Sequence, residues 1–241
     1  MNYELIKIHV SSRLNNNDSC WNLDKEGKFS VDGIEFELMP WRYDRRLRAL
    51  RGLSVENNVL RKICSYKSQR IGKKSENMKN VLMTELDICQ CLTDDKINSV
   101  YAIGVGNETL SAILKTSKGI LCNIEISLTL SEETSPVVRH ELVGKEGMIS
   151  DRSINEQVPV EAVYVFENDK KHPTTYTDMD PDMLGLNPAE IMVADNIIDI
   201  LSSKCNPQEI NAIKKEAEDL AEFVMMARDK GKVFKWEENQ K

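Results

Sequence analysis

The fold is decided by INSVYAIGVGNETLSAILKTSKGILCNIEISLTL, residues 97–130, and by PVVRHELVGKEGMIS, residues 136–150. Apolar and polar residues alternate through both segments, which is the pattern of strands buried on one face. The alternation predicts four strands, at 99–104, 109–116, 120–130 and 137–143. Ser117-Lys118-Gly119 and Gly144–Gly147 are short turns, so we expect antiparallel hairpins. A sheet of this length buries one face against helices, so we predict an α+β protein with a large, mainly antiparallel (mixed) sheet and helices on one face.

Helices and further strands are predicted on both sides of this stretch. Residues 78–92 form a helix, with Val81, Leu82, Leu86, Cys89 and Leu92 inward. Asn187-Pro188 and Asn206-Pro207 each start a helix, because proline is favoured at the first helical position. The other predicted elements are a strand at 3–11, a hairpin at 28–39 with an Asp32-Gly33 turn, helices at 41–52 and 54–63, a strand at 159–167 and a polar loop at 168–184.

Length and composition indicate an ordinary reduced protein. The 241 residues suffice for one large domain, and we expect a single domain over 1–241. The six cysteines form no CxxC pair and no metal-ligand spacing. No signal peptide is recognisable and no apolar run reaches membrane length, so we expect a cytoplasmic protein without membrane contact.

Positive charge is concentrated between Arg42 and Lys79, although the net charge of the chain is −7. This segment holds twelve Lys or Arg and three Asp or Glu, so the rest of the chain carries −16. Its densest part comprises Arg42, Arg45, Arg46, Arg48 and Arg51. These arginines can contact phosphate or nucleic acid, dock on an acidic partner or the acidic remainder of the chain, or cover apolar surface with their stems on a solvated helix. The negative net charge makes nucleic acid the least favoured of the three.

The order of the elements resembles the C-terminal domain of the Gfo/Idh/MocA family of NAD(P)-dependent sugar oxidoreductases. The segments that carry the resemblance are the helix at 78–92, NSVYAIGVG (98–106), the strand pair after it, HELVGKEGMISD (140–151) and MMARDKGKVFKW (225–236). The resemblance covers about residues 75–237, and residues 1–74 are a divergent strand, hairpin and basic helical region. It implies a domain that contacts a sugar or polyol and forms dimers through its open sheet face.

Two features of the resembled family have no counterpart here. The family's nucleotide-binding half places a glycine-rich turn between a strand and a helix, where backbone amides meet the pyrophosphate. In this sequence Gly104-Val105-Gly106 is followed by another strand, and the family's catalytic Glu-Lys-Pro lysine is missing. We therefore expect that this chain alone binds no cofactor, and that NAD(P) enters only if a separate Rossmann-domain partner protein exists.

The catalytic pair of the family is replaced as well. The family carries an Asp and a His four residues apart on the helix before SVYA, and the register places Asn80 and Thr84 at those positions. Neither side chain exchanges a proton as a carboxylate or an imidazole does, so we predict no catalytic residue. Asp87 matches a later aspartate of the family that is usually structural. The resemblance thus leaves Asn80, Thr84 and Asp87 as expected substrate contacts.

Three functions follow as hypotheses. The first is a stand-alone C-terminal-like domain, non-catalytic by itself, for sugar or polyol binding, oligomerisation or an accessory role. The second is the substrate-binding half of an oxidoreductase completed by a Rossmann subunit, and the third an anion- or nucleic-acid-binding adaptor that uses Arg42–Arg51. A homo-oligomer is expected through an open sheet face rich in Ile, Leu and Val.

The histidines provide no strong site. His9 and His140 lie in predicted strands, where packing is more common than catalysis, and His172 lies in the polar loop near Asp178, Asp180 and Asp182. That cluster lacks the glycine and final glutamate of a calcium loop, so we expect no metal site.

Overall fold

The computed structural model describes residues 1–14, 20–151, 162–167, 170–177, 185–203 and 206–236. Two compact units are present, residues 1–48 with 178–216 and residues 49–177 with 217–241. The behaviour of the chain as one domain over 1–241 stays a prediction. In chain order, the elements are α1 (Tyr3–Arg13), β1 (Trp21–Leu23), β2 (Phe29–Val31), β3 (Ile34–Phe36), a 3-10 turn (Pro40–Tyr43), α2 (Arg45–Arg51), a π-helical turn (Gly52–Glu56), β4 (Ile63–Lys73), α3 (Met78–Thr93), β5 (Ile97–Val105), β6 (Thr109–Thr116), β7 (Leu121–Leu130), β8 (Val137–Gly144), β9 (Gly147–Ser150), β10 (Ala162–Glu167), β11 (Thr174–Thr177), α4 (Pro188–Ser203), α5 (Pro207–Lys230) and β12 (Phe234–Lys235).

The opening segment of the first unit is a helix, and the prediction of a strand at 3–11 is wrong. Ile6 and Val10 lie four residues apart, face the same side and are fully buried. Ile8, which the strand pattern pairs with them, is 64% exposed. The Asn2 side chain accepts a hydrogen bond from the backbone N–H of Leu5 and caps α1. Helical spacing of two buried residues therefore outweighs the apparent alternation.

A three-stranded antiparallel sheet, in the order β1-β2-β3, completes the described strands of this unit. The predicted hairpin is confirmed. Asp32 and Gly33 have φ of 50° and 81°, and positive φ at both positions is what a tight two-residue hairpin turn requires.

The second unit contains a nine-stranded mixed sheet in the order β11-β10-β9-β8-β4-β7-β6-β5-β12. The four predicted strands are confirmed as β5 to β8, and β5, β6 and β7 are antiparallel neighbours. The strand predicted at 159–167 is present as β10, and its first residues lie outside the described part. Part of the segment predicted as a loop, 168–184, is a strand, since Thr174–Thr177 pairs with β10 and forms β11.

The central strand β4 is the largest departure from the sequence prediction. A helix was expected over 54–63, but the chain forms a π-helical turn after Gly52 and then enters β4. Gly52 therefore starts this turn and does not end a helix. Asn58 and Arg61 have φ of 49° and 53°, which no helix tolerates. β4 pairs in parallel with β7 and antiparallel with β8, and so makes the sheet mixed.

Helix α3 and the part of α5 from Ala217 onward lie on one face of the sheet, as predicted. All five residues expected to point inward from α3 are buried. Lys79 of α3 pairs with Glu222 of α5, and Arg228 of α5 donates to the carbonyl of Gly106 at 3.2 Å. We call the opposite side the open face. Among the described residues, no helix has the length and apolarity needed to cross a membrane.

Candidate functional site

A cluster of charged side chains is buried between α3 and the sheet. Glu85 of α3 is fully buried, His140 of β8 is 2% exposed, and the Asp151 side chain after β9 is 1% exposed. The Ser68 hydroxyl of β4 donates a hydrogen bond to Glu85, and the Arg70 guanidinium lies 3.5 Å from Glu85 Oε1. Buried charges are rare unless they are paired, and here each contacts a group of opposite charge.

The imidazole of His140 lies between two carboxylates. Its Nδ1 is 3.0 Å from Asp151 Oδ2, and its Nε2 is 3.4 Å from Glu85 Oε2. The second contact is within ion-pair distance but lacks hydrogen-bond geometry, so charge attraction dominates it. The Tyr66 ring stacks on the imidazole with the two ring centroids 6.3 Å apart.

The two carboxylates decide the charge of His140. Burial alone would lower the pKa of His140, because it disfavours the charged form. The contacts with Asp151 and Glu85 outweigh burial and raise this pKa to about 9. Burial would likewise raise the pKa of Glu85, but His140, with further help from Ser68 and Arg70, holds it below its ordinary value. At neutral pH the cluster therefore contains an imidazolium at His140 and an ionised carboxylate at Glu85.

This cluster fixes the orientation of α3. With Glu85 anchored in the sheet, Asn80 is exposed and Thr84 is half-buried, and the Thr84 hydroxyl donates to the Asn80 carbonyl oxygen at 3.1 Å. Asp87 is buried, with 2% of its surface exposed, and has a partner within the chain. Of the three expected substrate contacts, the structure thus brings only Asn80 and Thr84 together at the surface.

A groove of about 510 Å³ opens where α3 begins. This volume falls within the range of roughly 300–1,000 Å³ that is typical of small-molecule sites. The Asn77 side chain caps the helix there by accepting a hydrogen bond from the backbone N–H of Asn80 at 3.2 Å. The groove is lined by Lys74, Glu76, Asn77, Met78, Lys79, Asn107, Glu108, Leu128 and Met225.

The groove presents both donors and acceptors to solvent. The side chains of Lys74, Asn107 and Glu108 are exposed and make no hydrogen bond or ion pair to another described residue. Glu76 is engaged, because it accepts from the Lys73 backbone N–H and from Arg70, both at 2.7 Å. An ammonium, an amide and a carboxylate together match hydroxyl groups, which donate and accept at once.

Glu85 and most of the groove could not be recognised from the sequence. Glu85 directly follows Thr84, but its partners come from β4 and β8, far away in the chain. The groove residues come from four separate segments. The one local signal was Asn77, a favoured capping residue just before the predicted start of the helix at Met78.

The arginines between residues 42 and 51 are engaged within the chain. Their contacts are Arg46 with Asp44 (3.2 Å), Arg48 with Asp195 (3.9 Å) and Arg51 with the Cys91 carbonyl oxygen (3.1 Å), and Arg42 and Arg45 have partners as well. The Arg48 guanidinium also lies over the Tyr43 ring, 5.9 Å from its centroid. These contacts favour docking on acidic and aromatic groups of the same chain.

The glycine pair and two of the histidines considered in the sequence are not among the residues that line the groove or form the buried cluster. Gly104-Val105-Gly106 lies at the β5–β6 hairpin, where a Cβ on Gly104 would meet the Thr109 carbonyl oxygen at 2.3 Å. His9 lies on α1, and burial, helped by Arg13, lowers its pKa. His172 is exposed, and the aspartates expected beside it lie outside the described residues.

Comparison with solved structures shows which proteins share this fold. Levoglucosan dehydrogenase in complex with NADH and levoglucosan superposes with a TM-score of 0.64 at 12% identity, over 83% of this chain and 66% of that one. Scyllo-inositol dehydrogenase from Lactobacillus casei, with bound NAD(H) and scyllo-inositol, superposes with a TM-score of 0.59 at 16% identity. The match covers 83% of this chain and 64% of that one. An oxidoreductase domain protein from Kribbella flavida gives 0.61 at 11% identity, over 81% and 64%.

These matches confirm the fold resemblance. The neighbours are oxidoreductases of the Gfo/Idh/MocA type, and the chain spans 61–66% of their length, as a C-terminal-domain-like fold does. No protein-family model and no curated protein matches the sequence.

Proposed function

We propose that this chain is a sugar- or polyol-binding accessory domain that is not catalytic by itself. The observation that carries this proposal is the groove at the start of α3, with its unengaged ammonium, amide and carboxylate. Asn80 and Thr84 continue the same helix and extend the polar surface. The fold is shared with dehydrogenases whose structures hold levoglucosan or scyllo-inositol.

The absence of catalysis rests on the chemistry of these side chains. Removing a hydride from a polyol requires a group that accepts the hydroxyl proton. In the resembled family this role belongs to an Asp–His pair whose positions correspond to 80 and 84 of α3. An amide and a hydroxyl occupy positions 80 and 84, and the only histidine near α3 in the described part is held in the buried cluster. Under this proposal α3 binds hydroxyl groups and leaves them unreacted.

Calorimetry with scyllo-inositol and levoglucosan as probes tests the proposal. We expect saturable binding that Asn107→Ala and Glu108→Gln each weaken about tenfold, since each removes a hydrogen-bonding group. Lys115→Gln, a change on the exposed side of β6, is the matched control and should bind like the parent chain. Absence of saturable heat from both probes would contradict the proposal.

A second candidate is the substrate-binding half of an NAD(P)-dependent oxidoreductase whose Rossmann half is a separate protein. It is favoured by the share of the dehydrogenases that the chain spans, 61–66%. The chain alone then shows no NAD(H) or NADP(H) binding in calorimetry, and polyol-dependent reduction of NAD(P) appears only on mixing with a Rossmann partner. Micromolar NAD(H) binding by the pure chain would refute both candidates.

A homodimer through the open face is part of the proposal. Ile103, Val105, Ile113 and Leu121 of β5, β6 and β7 are 47–78% exposed there. Polar residues such as Asn123 interrupt them, so this face is less apolar than the sequence suggested. Light scattering at rising concentration should give a dimer mass, and Ile113→Asp should shift it to the monomer; a parent chain that stays monomeric would exclude the dimer.

A further inference from the structure

A second cavity, of about 130 Å³, opens on the open face between β4, β8 and β9. Its walls are Lys67 and Gln69 of β4, Arg139, His140 and Glu141 of β8, and Ser150 of β9. The exposed aliphatic residues of β5 to β7 are not among these walls. A space of this size suits a very small ligand.

Contacts of two β4 side chains with β7 explain why two charged side chains in this cavity lack partners. Lys67 lies opposite Glu141, and Gln69 lies opposite Arg139. The side chains of Lys67 and Gln69 nevertheless both contact Glu125 on β7. Lys67 Nζ and Gln69 Nε2 each lie 3.4 Å from Glu125 Oε2. Glu125 therefore satisfies the two β4 residues.

The side chains of Arg139 and Glu141 therefore remain without a partner from β4. Both are half-buried, and neither side chain makes a hydrogen bond or ion pair to any other residue that the structure describes. They stand two positions apart on the same face of β8, yet do not pair with each other. Partial burial costs a charge some of its hydration, so two unpaired opposite charges side by side in one wall of a cavity suit a ligand that carries the complementary pair.

We propose that this cavity binds a small zwitterionic α-amino acid, with its carboxylate on Arg139 and its ammonium on Glu141. A guanidinium binds a carboxylate through two parallel hydrogen bonds, which fixes the ligand orientation. Ser150 is engaged with the His140 carbonyl oxygen at 3.2 Å and forms the wall on the β9 side. The small volume of the cavity suits amino acids with short side chains, such as glycine, alanine or serine.

NMR titration of the full chain with L-alanine, acetate and ethylamine tests this inference. We expect alanine to give saturable shifts at β8 amides, and acetate and ethylamine each to bind at least about tenfold more weakly, because each retains one of the two ionic contacts. Arg139→Gln should abolish saturable alanine binding, and Glu141→Gln should weaken alanine about tenfold while leaving acetate unchanged. Lys115→Gln, elsewhere on the open face, should behave as the parent chain.

Two results would overturn the inference. One is the absence of saturable β8 shifts with alanine in the parent chain, which needs no variant to fold. The other is equal affinity for alanine and acetate, which would exclude the role of Glu141. Neither result bears on the polyol groove, which shares no lining residue with this cavity.

Discussion

Replacement of His140 by glutamine should destabilise the protein strongly and change its response to pH. Glutamine keeps much of the imidazole volume but cannot carry the positive charge between Glu85 and Asp151. Removal of one partner from a buried ion pair costs roughly 3–5 kcal/mol, because the remaining charge is left unpaired. The pKa gives a similar value, since a rise from 6.5 to about 9, at 1.36 kcal/mol per unit, corresponds to about 3 kcal/mol.

The sign of the pH effect follows from the direction of this shift. A raised pKa means that the folded protein holds the proton more tightly than the unfolded chain. The stabilisation is therefore complete below the ordinary value of 6.5 and is lost as pH rises through about 9. The difference in unfolding free energy between the parent chain and His140→Gln should be largest in weakly acidic buffer and shrink in alkaline buffer.

Urea unfolding, followed by circular dichroism in buffers on both sides of this interval, measures the difference. His172→Gln is the matched control, because His172 is exposed and should change the unfolding free energy little. A loss of less than about 1 kcal/mol for His140→Gln in weakly acidic buffer, well below the buried-pair range, would exclude a stabilising ion pair at His140. A difference that stays constant into alkaline buffer would equally contradict an imidazolium.

Further predictions concern the same helix and the basic segment. Glu85→Gln should lower the unfolding free energy by roughly 3–5 kcal/mol near neutrality. Because the pKa of Glu85 is lowered, its stabilisation is present above pH 4.5 and is lost as the pH falls further. An acid-unfolding midpoint that is the same in the parent chain and in Glu85→Gln would contradict this. Asn77→Ala should cost about 1 kcal/mol by removing the cap of α3, with Asn107→Ala, on an exposed turn, as the control in urea. Leu86→Ala should cost about 2–5 kcal/mol because Leu86 is fully buried, and a cost under that range would show that the core collapses around the gap. Arg45, Arg46 and Arg48 changed together to Ala should leave heparin retention unchanged, because these side chains already have partners; a loss of salt-dependent retention would instead support the nucleic-acid adaptor.

The predictable part of the fold is the part whose signals are local. Strands β5 to β8 alternate cleanly because one face packs on helices and the other faces solvent. The helix starts at Pro188 and Pro207 depend on a backbone preference that neighbouring residues do not override. The positions of these elements could therefore be predicted from the residues within each of them.

β4 could not be recognised because its pattern depends on partners elsewhere in the chain. Ser68 and Arg70 are polar residues on the side that faces the helices, where they contact Glu85, while Lys67 lies on the open face. Polar residues on both sides erase the alternation that marks a strand. For the same reason Glu85 looks like a surface residue of α3 until the fold brings His140 beside it.

The position of β4 also bears on synthesis of the chain. Both of its neighbours in the sheet, β7 and β8, are translated after it, so a nascent chain exposes β4 as an unpaired strand for some time. Such a segment is an aggregation hazard unless charges interrupt it. Lys67, Arg70 and Lys73 recur along β4. We therefore expect the charges that obscure the strand in the sequence to reduce its aggregation while the chain is being synthesised.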